Sequence, residues 1–157
     1  MNLQIRQAVQ SDIPAIQSLL LQVEKIHCDG RPDIFKDGGV KFTNEQLAQL
    51  LCDPTRPIFC AVNDGQVVGY VFCIITEIKG DPMLRDAKTL HLEDVCVDKS
   101  CRDGGVGSRL MEYVKTYARE NDFTRIDLDV WEFNDRAREF YEKHGFGVQK
   151  RRMDLVL

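Results

Sequence analysis

Apolar residues change their spacing from one part of this chain to the next, and each change marks a predicted element. Leu3 to Ala8 alternates apolar and polar positions, as a half-buried strand does. Ser11-Asp12 then offers a helix N-cap ahead of Pro14, and Ile13, Ile16, Leu19, Leu20, Val23 and Ile26 recur at three- and four-residue intervals. This predicts a first helix with one apolar face against a sheet. The spacing breaks down from His27 to Lys41, where Gly30, Pro32, Gly38 and Gly39 predict a charged loop. Thr43-Asn44-Glu45-Gln46 opens a short helix through Leu47, Leu50 and Leu51, stopped by Asp53-Pro54.

Two strands, Ile58 to Val62 and Gln66 to Ile78, are joined by Asn63-Asp64-Gly65, a hairpin signal because such turns need positive φ. Thr89 to Val97 is the next strand. Unbroken alternation puts Leu90, Leu92, Asp94 and Cys96 on one face and His91, Glu93, Val95 and Val97 on the other. A helix through Ser108–Glu120, a strand at Ile126–Trp131 and a helix at Asp135–His144 follow. Phe146–Gln149 and Met153–Leu157 read as short closing strands. Strand, helix and strand in close succession predict a parallel pair with a right-handed crossover. The order is β-α-α-β-β-β-α-β-α-β, a mixed α/β (α+β) fold with a mostly antiparallel twisted sheet and helices on both faces.

At 157 residues the chain fits one domain, 1–157. A net charge of -4 argues against nucleic acid as the main partner and suits cationic ones. No apolar run approaches the roughly 18 residues of a membrane span, and the N-terminus lacks a basic-then-apolar leader, so the cytoplasm is the expected location, with no membrane partner. The six cysteines show neither C-x-x-C nor zinc-type spacing, so no metal is expected. Cys60, Cys73 and Cys96 fall inside apolar strands and read as reduced packing residues; Cys96 is the one to test as a nucleophile.

The chemistry concentrates between Leu92 and Leu110, where a Val-rich strand runs into Arg102, Asp103, Gly104, Gly105, Val106, Gly107 and Ser108 and then directly into a helix. Free N–H groups at the helix start, with the positive end of its dipole, can receive a phosphate. The spacing fits neither a P-loop, which needs Lys-Ser/Thr after the last glycine, nor the G-x-G-x-x-G fingerprint. Arg-x-x-Gly-x-Gly after such a strand resembles the acyl-coenzyme A loop of the GCN5-related N-acetyltransferases. A second stretch, N-D-R-A-R-E-F-Y-E-K-H-G-F from Asn134 to Phe146, resembles that family's other signature, in the right order along the chain.

The resemblance implies an enzyme transferring acetyl from acetyl-coenzyme A to a primary amine, small molecule or peptide, by direct attack. It implies that the strands Leu90–Val97 and Ile126–Trp131 splay, that backbone at Val95, Cys96 and Val97 bonds the pantetheine arm, and that Arg102 to Ser108 hold the pyrophosphate. Asn134 would touch the arm as well as capping its helix. Tyr141 would be the general acid for the departing thiolate, since a phenol stays protonated at neutral pH. Glu93 would be the base, with Asp94 and His91 behind it. The loop from His27 to Lys36 falls where the family borders its acceptor pocket and is a candidate gate, with Trp131 and Phe133 as candidate pocket residues. The C-terminal strand could pair across a homodimer. A non-catalytic acyl-coenzyme A sensor on the same fold is the alternative.

Overall fold

Five strands lie side by side in chain order in the computed structural model, which describes residues 2–157. They are β1 (Leu3–Gln7), β2 (Ile58–Asn63), β3 (Gln66–Ile78), β4 (Ala87–Val97) and β5 (Arg125–Leu128). β1 to β4 pair antiparallel and β4 pairs with β5 in parallel. The helices are α1 (Ile13–Gly30), α2 (Asn44–Leu51), α3 (Val106–Glu120) and α4 (Asp135–Lys143). The predicted hairpin between β2 and β3 forms, with Asp64 and Gly65 both at positive φ. The mixed sheet and its flanking helices agree with the fold class read from the pattern.

The periodicities explain the two layers. On one face, Ile16, Leu19 and Leu20 of α1 and Leu47 of α2 pack on Cys60, Tyr70, Phe72 and Cys96. On the other, Val106, Leu110, Met111 and Val114 of α3 cover Phe59, Val71, Leu90 and Leu92. Each such fully buried side chain contributes about 1.5–3 kcal/mol. Asp12 does not cap α1 through its side chain. It takes a bidentate bond from Arg6 at 2.7 and 3.0 Å and one from the Val9 N–H at 2.8 Å, tying β1 to α1. The Arg6 bond holds its carboxyl below the ordinary carboxylate range.

Three segments differ from the sequence expectations by three residues or more. The predicted loop begins as helix, because α1 continues through His27 to Gly30. β5 stops at Leu128 rather than Trp131. Residues 146–157 form no strand, and Val148, Met153, Leu155 and Val156 are exposed. Alternation makes a strand only where an edge receives it, and this segment is held instead by Asp154, 2.7 Å from Arg31. No helix of the described residues is long and apolar enough to cross a membrane.

Candidate active site

Regular alternation fails in β4 at one residue. Asp94 stands opposite Phe72 and Leu92 opposite Cys73, so Glu93 is the extra residue of a β-bulge. The bulge changes which side chains share a face. Leu90, Leu92, Val95 and Val97 all pack toward α3, whereas Cys96 packs toward α1. Asp94 reaches Lys41 in the connection between α1 and α2, and Glu93 reaches Arg56 ahead of β2. Glu93 therefore does not share a face with Val95 as unbroken alternation required.

The same bulge opens the sheet. The last β4–β5 pair is Leu92 with Leu128, and β4 runs on to Val97 without a partner on that side. A bulge bends and twists its strand, and here it lies one residue beyond the last pair. The backbone of Val95, Cys96 and Val97 thus borders a gap on the β5 side.

The glycine loop stands at the open end of this gap. Asp103 and Gly105 adopt positive φ, and Gly105 is the N-cap of α3 with no side chain capping it. The first intrahelical acceptor is the Gly105 carbonyl, bonded by the Arg109 N–H at 3.0 Å, which leaves the N–H groups of Val106, Gly107 and Ser108 without helical partners. A Cβ on Gly107 would come within 3.2 Å of the Phe140 ring. Arg102 donates through Nε to the Val97 carbonyl at 3.4 Å, so its guanidinium lies at the mouth. Uncapped donors, a helix dipole and a nearby cation suit a pyrophosphate.

Helix α4 supplies the opposite wall. Asn134 caps it by accepting from the Ala137 N–H at 3.2 Å, leaving its amide N–H₂ available. Tyr141 packs against the α3-side core between Phe140 and Phe146, with ring centroids 5.4 and 5.7 Å away. Burial, reinforced by the charge of Asp94, raises its pKa above that of a free tyrosine. Its proton is therefore present throughout the neutral range. Ser108 and His144, 3.1 Å apart, tie α4 to the start of α3.

Across the gap, on the α1 side, lies a polar corner. Asp94 is only 8% exposed, and its carboxylate is 3.3 Å from Lys41 Nζ. Burial raises its pKa, against the attraction of Lys41. The Tyr70 hydroxyl is wholly buried without a hydrogen-bond partner among the described residues, and its pKa is raised by burial and then by Asp94. His27, whose pKa burial lowers, also feels the Asp94 charge. Glu93 is held by Arg56 at 2.7 Å. His91 is bonded through Nδ1 to Asp127 at 2.8 Å across β4 and β5.

Aromatic rings stand beside this corner. Phe35 lies 5.0 Å from His27 and 5.4 Å from Trp131, and Trp131 lies 6.0 Å from Phe133, centroid to centroid. The Phe133 ring sits where a Cβ on Gly30 would fall, 2.2 Å away at closest. The stretch from His27 to Lys36 is thus docked through Phe35, while Ile34 stays exposed. Sequence reading missed Lys41, Arg56 and Tyr70, none of which stands in a motif. Gly30 is a helix residue rather than a loop glycine, and its place in the last turn of an amphipathic helix is the signal of a close approach. Cys96, a candidate nucleophile, has its thiol pushed up to about 12 by burial, which leaves it unreactive at neutral pH.

Comparison with known proteins bears on this arrangement. The pattern of the acetyltransferase (GNAT) family matches residues 20–146. An uncharacterised N-acetyltransferase of Lactobacillus delbrueckii subsp. lactis is 30% identical over 101 residues, 64% of this chain. The chain spans 57% of the length of that relative. Glucosamine 6-phosphate N-acetyltransferase of Trypanosoma brucei brucei is 28% identical over 120 residues, 76% of this chain and 77% of its own. Among solved structures, the tetramutant of the BH1408 protein of Bacillus halodurans superposes with a TM-score of 0.94 at 28% identity, covering 98% of this chain and 99% of its own.

Proposed function

Because the chain belongs to the acetyltransferase (GNAT) family, we propose that it moves an acetyl group from acetyl-coenzyme A to a primary amine by direct attack on the thioester. The observation that carries this reading is the gap beyond Leu92 and Leu128, which has the uncapped start of α3 at its open end and Tyr141 on its wall. A strand-like arm with a pyrophosphate tail fits such a place. From Glu93 to Val97 β4 spans roughly 13 Å at about 3.3 Å per residue. That length sets a thioester near the bulge when the pyrophosphate is held at Val106 to Ser108.

The residues divide the work as follows. Arg102 and the N–H groups of Val106, Gly107 and Ser108 bind the pyrophosphate, and Asn134 and the backbone of Val95 to Val97 hold the arm. A backbone N–H bordering the gap also stabilises the oxyanion as the carbonyl is attacked, worth about 3–4 kcal/mol for one donor. Glu93, directly or through water, takes the proton that an ammonium must lose before it can attack. The amine nitrogen then bonds to the carbonyl carbon, the carbon–sulfur bond breaks, and Tyr141 gives its proton to the sulfur. The Tyr141 phenolate recovers a proton from the nitrogen, leaving amide, thiol and one released proton.

Calorimetry with acetyl-coenzyme A, and thiol release across a panel of amines with mass spectrometry of the product, test the reading. Binding and an acetylated amine are expected. Absence of binding, or binding with no acceptor acetylated, would overturn it.

A further inference from the structure

We infer that the acceptor subsite is an ammonium site, floored by Asp94 and walled by Phe35, Trp131 and Phe133, and that Lys41 occupies it in place of the substrate's own charged amine. This deepens the proposed function by naming the acceptor class: a cationic alkyl or arylalkyl amine rather than an amine carrying an anionic group.

The geometry supplies each part. Asp94 is buried, yet its charged neighbour within reach is a lysine from a connecting segment, with Nζ 3.3 Å away and 28% of that side chain still exposed. A buried carboxylate needs a cation or a proton, and a partly solvated ammonium is one that another ammonium can replace. The Lys41 Nζ also lies 5.6 Å from the Phe42 centroid, so an ammonium here meets an aromatic face as well as a carboxylate. The buried Tyr70 hydroxyl stands in the same corner, beside Asp94 but outside hydrogen-bond geometry with it. Asp94 directly precedes the gap-bordering Val95, and its charge is felt at Tyr141 across the gap and at His27 beside the aromatic wall. A cation seated on Asp94 is therefore next to the place where the thioester would stand. An anionic group in this corner would face Asp94, while Glu93 is already paired with Arg56 at 2.7 Å.

Trp131 is the only tryptophan in the sequence and stands in the wall, so its fluorescence reports on this corner without any turnover. Titration with phenethylamine at neutral pH, coenzyme omitted, is expected to give a saturable change, whereas 2-phenylethanol and glucosamine 6-phosphate give none. Lys41→Met should tighten phenethylamine binding about tenfold, because the competing side chain is gone. Asp94→Asn should weaken it about 30-fold or more, and Phe35→Ala by about fivefold. Phenethylamine bound no more tightly by Lys41→Met than by the native protein would overturn the inference, as would equal binding of the alcohol or tighter binding of the sugar phosphate. Lys41→Met and Phe35→Ala decide the matter independently of Asp94→Asn. Coenzyme binding without an amine response would sink this inference and leave the transferase reading standing; the reverse result would do the opposite.

Discussion

Between Val97 and Ser108 the donor half of the site is made by one continuous run of chain, with α4 laid across it. The acceptor half gathers His27 and Phe35 from the end of α1 and the turn after it, Lys41 from the α1–α2 connection, Arg56 from the approach to β2, Asp94 from β4 and Trp131 to Phe133 from beyond β5. The first half relies on backbone N–H groups and glycines, which bind any phosphate tail alike. The second relies on side chains drawn from distant segments. Donor chemistry is therefore fixed by local backbone shape, and acceptor choice is left to side chains that meet only in the folded state.

Tyr141 stands where the halves meet, and its removal should have the largest effect. Tyr141→Phe is expected to lower kcat by about 100-fold or more, with calorimetry showing unchanged donor affinity. A loss of donor binding instead would assign Tyr141 to the donor half. Gly107→Leu drives a side chain into Phe140 and should weaken acetyl-coenzyme A binding by about 30-fold, or ~2 kcal/mol of overpacking. Gly30→Val is its counterpart on the other side. Displacing Phe133 should raise the amine KM about tenfold while donor affinity holds. Equal effects of both glycine variants on both ligands would erase the distinction between the halves.

The smallest effect is on stability. Asp94 holds its proton more tightly when folded than when unfolded, so between the unfolded and folded values the native chain binds more protons. Stability then falls as pH rises through that window. Asp94→Asn should flatten the decline in a pH series of thermal melts and raise Tm at neutral pH by about 2–4 °C per kcal/mol recovered. A lower Tm at neutral pH would mean that the Lys41 pair outweighs the burial.

Legibility in the sequence follows the same division. The glycine loop, the two-residue hairpin at Asp64-Gly65 and the α4 signature are local patterns, so the residues that define them stand close together in the chain. The bulge was not visible, because nothing in L-E-D-V marks one residue as surplus; Phe72 and Cys73 on the neighbouring strand decide it. Alternation alone therefore puts Glu93 on the face of Val95, and nothing in the sequence links it to Arg56 or Asp94 to Lys41. Gly30 ends its helix for the sake of a ring more than a hundred residues later. Met153 to Leu157 alternates as a strand does but finds no edge, which composition of the segment cannot reveal.

Glu93 can be subtracted on paper. With it gone, Leu92 and Asp94 become neighbours, every other side chain of β4 keeps the face it now has, and the strand regains an even pleat. Nothing then bends β4 away from β5, and the two would zip onward past Leu128. A variant lacking this one amino acid should melt later, resist proteolysis better and be catalytically blank, since the slot in the sheet exists only while the ladder carries one rung too many.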